Sequence, residues 1–448
     1  MKSMLQMIKD LYLAPRLYQA IGAVAVLHIL SYFFRSLTFV AEIAGVTLLF
    51  FSLIDMLLLF RQNSVIFARR ELPERFSNGD ENNVRVFIEN RFAFQIQTSV
   101  LDELPFQFQI RDAGYDVALS PGETRHISYT LRPVARGEYH FGTLNVYVST
   151  PIGLIKRRFR FETNGAMVPA YPSFIQMRKY ELMAISNRLT EAGIKKVRRI
   201  GHTMEFDQIR EYVRGDDHRT INWKATARKR ALMVNHYQDE RSQQVYSVID
   251  MGRVMQMPFN ELSLLDYAIN ASLVISNIAL LKQDRAGIIT FSHKIGSILP
   301  AERTPGQMRK VMETLYNQRT DFLESDHQSV YLTLLRRLNQ RSLILLFTNF
   351  ETLTALKRQL TYLRRIARRH LLVVIFFENT ELKGILHSAA ETPEMVYRKT
   401  IAEQFAYEKR QIVKELQRSG IFAILTSPEN LTVATINQYL QLKARGLI

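Results

Sequence analysis

The stretch SLILLFTNFETLTALKRQLTYLRRIARRHLLVVIFFE, residues 342–378, sets two nearly continuous apolar runs on either side of an amphipathic one. SLILLFTNF (342–350) and HLLVVIFFE (370–378) lack polar alternation, which marks strands buried on both faces. Between them, TLTALKRQLTYLRRIARR (352–369) spaces Leu and Ile at helical intervals. Buried strand, crossover helix and buried strand form a right-handed parallel unit. The alternation continues outward through QQVYSVID (243–250), SLLDYAINASLVISNIALLK (263–282), AGIITFS (286–292) and GIFAILTS (420–427). Residues 243–448 are therefore predicted to form a doubly wound α/β domain, with any site at the carboxyl ends of its strands.

Toward the N-terminus the periodicity changes to two. FSNGDENNVRVFIENRF (76–92) and HISYTLRPVARGEYHFGTLNVYVS (126–149) alternate apolar and polar residues between turn signals such as Asn78-Gly79, Pro121-Gly122 and Arg136-Gly137. This predicts an antiparallel, Ig-like β-sandwich over residues 62–165. No polar cluster in it has catalytic spacing, so the plain reading is a spacer or docking module.

Residues 1–61 read as a membrane anchor. Leu17–Phe34 is free of charge, and Leu37–Phe60 holds only Glu42 and Asp55, each near an end where an acid reaches the headgroups. The joint of Arg35 and Ser36 makes the pair a helical hairpin. Lys2, Lys9 and Arg16 precede it, and Arg61, Arg69, Arg70 and Arg75 follow it. The positive-inside rule then puts both termini in the cytoplasm, at the inner membrane.

The 448 residues carry 59 Lys and Arg against 42 Asp and Glu, a net charge of +17. Of this, +14 falls after residue 165, which implies an anionic partner for the C-terminal part. Cysteine is absent. That excludes disulfide scaffolds, thiol catalysis and Cys-ligated metals.

Residues 166–242 form a segment of their own, and its second half is dense in charge: FDQIREYVRGDDHRTINWKATARKRALMVNHYQDER (206–241). Arg210, Arg214, Arg219 and Arg228 suit carboxylates or phosphates. The plain reading is an extended loop held by Arg–Asp pairs, with Trp223, the sole tryptophan, plugging a core. Binding of an acidic partner is one alternative. Catalysis by Asp216 or Asp217 is another, although no nucleophile, histidine partner or metal-ligand set accompanies them.

This run resembles the signature of the domain of unknown function 58 family. The matching positions are Arg210, Glu211, Tyr212, Gly215, Asp216, Asp217, Arg219, Ile221, Trp223, Lys224, Ala227, Arg228, Leu232, Val234, Glu240 and Arg241. RGEYHFGTLNVYVSTPIGLIKRRF (136–159) is similar to the family's upstream strand pair, with its turn at Pro151, Gly153 and Leu154. The resemblance implies a bacterial, membrane-anchored chain in which residues 243–448 are von Willebrand factor A-like. It also implies a MoxR-type AAA+ ATPase as partner, and supplies no reaction and no cofactor.

Von Willebrand A domains often carry a metal-ion-dependent adhesion site, D-x-S-x-S with a later Thr and Asp. Here the positions read Asp250, Gly252 and Val254, with Thr320 for the loop hydroxyl and Thr348-Asn349 on the later strand. Both serines are lost, and Arg253 puts a positive charge beside any ion. A metal-independent interaction surface is the expectation, with Asp250 paired to an arginine, for instance one from 210–230. Arg364, Arg365, Arg368 and Arg369 line one helix side, as a solvated or headgroup-facing surface. No Walker A loop, G-x-S-x-G elbow or H-E-x-x-H helix occurs, and no nucleic-acid-binding fold is recognisable. The sequence thus points to a protein-interaction adaptor for complex assembly or envelope maintenance. A metal-dependent hydrolase using Asp250, Asp216 and Asp217 is one alternative, and a basic nucleic-acid or lipid-surface binder is the other.

Overall fold

The protein is described from a computed structural model over residues 7–61, 65–110, 114–162, 166–185, 194, 204–239, 242–320, 322–380, 382, 384 and 392–448. It divides into two compact units, Met1–Tyr171 and Pro172–Ile448.

The first unit contains a short strand, β1 (Leu11–Leu13), followed by helices α1 (Pro15–Phe33) and α2 (Thr38–Phe60). Pro15 opens α1 at a position where its missing N–H costs nothing. A 3-10 turn, Arg35–Leu37, joins the two helices. Both are long and apolar enough to cross a membrane. Ile29, Phe33, Phe39, Val46, Leu49 and Leu57 are exposed along them. An apolar outer surface of this kind suits lipid, with every backbone bond closed inside the helix.

The strands that follow are β2 (Ile66–Glu71), β3 (Phe76–Ser77), β4 (Asn82–Asn90), β5 (Ile96–Asp102), β6 (Gly114–Leu119), β7 (Thr124–Leu131), β8 (Gly137–His140), β9 (Leu144–Ser149), β10 (Ile155–Phe161) and β11 (Met167–Tyr171). They form a five-stranded sheet, β1-β10-β9-β5-β6, and two three-stranded sheets, β2-β4-β7 and β3-β11-β8. The period of two works as the pattern requires. Val84, Val86 and Ile88 of β4 face a common core with Ile96 and Val100 of β5 and Val146 and Val148 of β9. One ion pair is sealed inside. Arg70 donates to Asp102 and to the Gly142 carbonyl, and the Tyr129 hydroxyl donates to Asp102. Burial, then the Asp102 charge, push the Tyr129 pKa up, so the hydroxyl keeps the proton that it donates.

The hairpin is tied into this sheet. Strand β1 pairs antiparallel with β10, Leu11 opposite Arg157 and Leu13 opposite Ile155. Asp55 does not reach toward headgroups as its place near a helix end suggests. It is fully buried. Its carboxylate accepts from the Thr150 hydroxyl and from the amides of Leu154 at 2.9 Å and Ile155 at 2.8 Å. The turn around Pro151 and Gly153 supplies these donors, which a carboxylate rewards more strongly than a neutral acceptor does. Arg157 adds a bond to the Leu59 carbonyl at 2.6 Å and lies 4.6 Å from the centre of the Phe60 ring.

The second unit opens with α3 (Phe174–Ile185). A two-stranded ribbon follows, β12 (Met204–Glu211) and β13 (Met233–Asp239), with α4 (Trp223–Lys229) inserted between its strands. The remaining elements are β14 (Gln244–Asp250), the small hairpin β15 (Pro258–Phe259) and β16 (Leu262–Ser263), α5 (Leu264–Leu281), β17 (Arg285–Phe291), β18 (Ile295–Glu302), α6 (Gln307–Tyr316), α7 (His327–Arg337), β19 (Leu343–Phe347), α8 (Leu353–Ala367), β20 (Leu371–Phe377), α9 (Pro393–Arg418), β21 (Phe422–Thr426) and α10 (Leu431–Ala444). Six strands make one sheet in the order β18-β17-β14-β19-β20-β21, parallel except for β18. Alternate residues of β14 enter different cores. Val245 and Ile249 meet α5, α6 and α10, whereas Tyr246 and Val248 meet α7, α8 and α9. Helix α5 is long and apolar enough for a membrane span, but most of it is buried in this core.

Candidate functional site

The first strand of the six-stranded sheet, β14, lies between β17 and β19, so connections diverge at its carboxyl end. Asp250 closes that strand and is fully buried. One carboxylate oxygen accepts from the Gly252 amide at 2.8 Å and the Ser325 hydroxyl at 2.5 Å. The other accepts from the Thr348 hydroxyl at 2.7 Å. An arginine partner was the expectation for Asp250. Among the described residues its hydrogen bonds come from an amide and two hydroxyls instead.

Gly252 explains the altered pattern. A Cβ there would stand 1.9 Å from Ser325 Oγ and 2.9 Å from the Leu323 carbonyl. The hydroxyl missing from position 252 is thus delivered to Asp250 by Ser325, from the loop before α7. Thr320, expected at the later Thr of the pattern, reaches the same strand end. It donates to the Met251 carbonyl at 2.5 Å and accepts from the Phe322 amide at 3.0 Å. Val254 offers its carbonyl to the Asn349 amide at 3.4 Å. Arg253 is exposed. His327, buried at the start of α7, lies between the rings of Phe291 and Phe350. Burial pushes its pKa down, so it is neutral at pH 7.

Asn349 has an unexpected neighbour. Its Oδ1 accepts from Lys409 Nζ, on α9, at 2.7 Å. Burial pushes the Lys409 pKa down to about 8, against a smaller opposing effect of the Glu351 charge. A cation supplied by the chain itself therefore stands at this strand edge. Among the described residues no group of three or more His, Asp or Glu is placed to hold a metal ion.

The ribbon segment sorts its residues into two roles. Asp216 accepts from Arg210 Nη2 at 2.7 Å and from the Val213 amide at 2.9 Å, clamping the turn at Gly215. Gly215 has φ of +117°, a conformation that side chains rarely adopt. Asp217 caps the short turn 218–220 through the Arg219 amide at 3.0 Å. Asn222 caps α4 through the Ala225 amide at 3.0 Å. The Tyr212 ring stacks on His218 at 5.8 Å, and the Tyr212 amide donates to the Leu232 carbonyl. The acids thus serve the local fold, and no described contact brings Asp216 or Asp217 to Asp250.

The remaining residues face outward. Glu211, Arg214, Arg219, Lys224 and Arg228 are exposed. Trp223 does not plug a core. It is 70% exposed, with Val213 and Leu232 also exposed nearby in the segment. A seven-residue helix begun at Trp223 has too little length to bury two faces. Glu240 and Arg241 lie outside the described residues. Of Arg364, Arg365, Arg368 and Arg369, the first two lie on α8 and are engaged: Arg364 with Glu415 at 3.4 Å and Ser419 at 3.0 Å, and Arg365 over the Tyr331 ring. Ser325, His327 and Lys409 were missed from sequence. A glycine where the pattern expects serine was the one available sign of Ser325.

A family model described as protein of unknown function DUF58 matches residues 208–391. An uncharacterised Bacillus subtilis (strain 168) protein, YeaD, is 30% identical over 126 residues, which is 28% of this chain. The match spans 30% of that protein's length. Solved structures include a PapD-like domain of human CEP192, with 13% identity and a TM-score of 0.19, covering 24% of this chain and 85% of that one. A CARDB domain from Pyrococcus furiosus has 12% identity and a TM-score of 0.16, covering 21% and 93%. Proximal thread matrix protein 1 from the mussel byssus has 10% identity and a TM-score of 0.26, covering 45% and 47%.

Proposed function

We propose that this chain is a membrane-anchored adaptor whose second unit, read as von Willebrand factor A-like, faces the cytoplasm and docks a protein partner. In this reading the strands of the first unit form an Ig-like spacer fixed to the hairpin. The partner is a MoxR-type AAA+ ATPase, and the work is complex assembly or envelope maintenance at the inner membrane. One observation carries the proposal: Trp223 stands exposed at the start of α4, in a segment that also exposes Arg214, Arg219, Lys224 and Arg228 and ties Asp216 to its own Arg210. Tryptophan and arginine dominate the energetics of protein interfaces. The hydrolase reading lacks an observation of this kind: Asp216, Asp217 and Asp250 each accept from donors of their own.

The test is capture of the purified MoxR-type ATPase of the same organism by the full chain in nanodiscs, with ATP, with ADP and without nucleotide. Nucleotide-dependent capture, weakened about tenfold or more by Trp223→Ala and by Arg214→Ala, is the expected outcome. Failure to capture in all three states counts against the proposal, as does capture indifferent to both substitutions.

A further inference from the structure

A cavity of about 570 Å³ opens at the carboxyl ends of β19, β20 and β21. Met257, Phe259, Phe377, Phe405 and Leu425 supply apolar wall, and Lys409 enters from α9. Its size lies in the range of sites that enclose a ligand. An ammonium has three N–H donors. Among the described residues Lys409 Nζ has one hydrogen-bond acceptor, Asn349 Oδ1. The Phe376 ring lies 5.7 Å from Nζ and accepts no strong hydrogen bond. Donor capacity is therefore left over inside a mostly apolar space, and a carboxylate satisfies it best.

Among the described residues, the other charges lining the cavity are Glu351, after β19, Glu378, after β20, and Arg410, beside Lys409 on α9. Glu351 and Arg410 are exposed, so water screens them. Lys409 and Glu378 are half-buried in the wall, and Lys409 is its sheltered cation. The volume takes roughly two or three residues, and its partly open mouth admits a chain end led by its carboxylate.

We propose that this cavity binds the free C-terminal carboxylate of an apolar chain end on a protein partner, seated on the Lys409 ammonium with its side chains against Phe377 and Phe405. The inference rests on the adaptor reading and names the chemistry of a partner segment. Binding is linked to protonation: a carboxylate holds the proton on Lys409, so affinity falls as pH rises past the unbound value of about 8.

The experiment is fluorescence anisotropy of the full chain in nanodiscs with fluorescein-Gly-Ser-Leu-Phe, as the free acid and as the C-terminal amide. The free acid is expected to bind about tenfold or more tightly than the amide, and that preference to shrink about tenfold between pH 7 and pH 9. Lys409→Met should erase the preference. Phe405→Ala, at a half-exposed site, should weaken both peptides alike. Equal binding of acid and amide overturns the proposal. So does a preference that survives Lys409→Met, or no binding up to about 1 mM. The assay uses no ATPase: a failed peptide with intact ATPase capture overturns the cavity proposal alone, whereas bound peptide with failed capture overturns the adaptor reading.

Discussion

Gly252 sits where the adhesion-site pattern wants serine, and a neighbouring loop has taken the space. Gly252→Ser should therefore destabilise the second unit by about 1–3 kcal/mol, because Ser325 Oγ and the Leu323 carbonyl must both move. Adding Ser325→Gly should recover most of that loss in chemical denaturation. If the single variant unfolds like the parent, the crowding at Asp250 is not as described. Lys409 gives a second prediction. An ordinary lysine holds its proton to 10.5, but burial makes this one release it near 8 in the folded chain. Between those values the unfolded chain binds more protons, so this group adds stability as pH rises from about 8 to 10.5. Its full cost is present below pH 8. Lys409→Met should accordingly raise stability at pH 7 by about 1–3 kcal/mol, a gain that fades by pH 10.5. A variant no more stable than the parent at pH 7 contradicts the buried charge. A residue kept against stability is what a binding role explains.

At the scale of elements, the join between α2 and the turn before β10 deserves a direct test. Asp55→Ala leaves the Leu154 and Ile155 amides buried without an acceptor, at about 1–3 kcal/mol each. Thermal melting in detergent should fall accordingly, and Asp55→Asn, which keeps one acceptor oxygen, should fall less. Equal melting of all three proteins removes the proposed tie. The two apolar helices and the central strands were legible in sequence because burial forces a pattern: long uncharged runs for α1 and α2, continuous apolar runs for β14, β17, β19, β20 and β21. Others were not: β12, α4 and β13 lie where the charged run read as an extended loop, and two further strands show why. Strand β1 is three residues whose place depends on a partner more than 140 positions away. Strand β18 contains Gly296 and Pro300, which weaken a strand pattern, and it survives as a strand because it lies antiparallel at the sheet edge. The site was harder to read. Asp250 and Asn349 announced themselves at strand ends, but Lys409 lies 60 positions beyond Asn349 on α9, and nothing local in the sequence sets it apart from other helical lysines.

At the scale of the whole molecule, the net charge of +17 has a structural location. Part of the cationic excess is used inside the units, by Arg70, Arg157 and Lys409. Among the described residues of this segment, the exposed cations Arg214, Arg219, Lys224 and Arg228 outnumber the exposed acids Glu211 and Asp217, and Asp216 is paired with Arg210. Charge and apolar surface thus coincide on one segment, as a docking surface for an acidic partner requires. The chain has a single tryptophan, so its fluorescence reports that surface and no other. Exposure at Trp223 means that Trp223→Ala should alter stability by less than about 0.5 kcal/mol, which separates loss of docking from loss of folding. The decisive measurement is the emission of Trp223 in nanodisc-held protein titrated with a MoxR-type ATPase carrying no tryptophan. The expected result is the spectrum of a water-exposed indole that iodide quenches, shifting to the blue and losing that quenching as the ATPase saturates. An emission already blue and unquenched in the free protein, or one that the ATPase leaves unchanged, would contradict the docking role given to this segment.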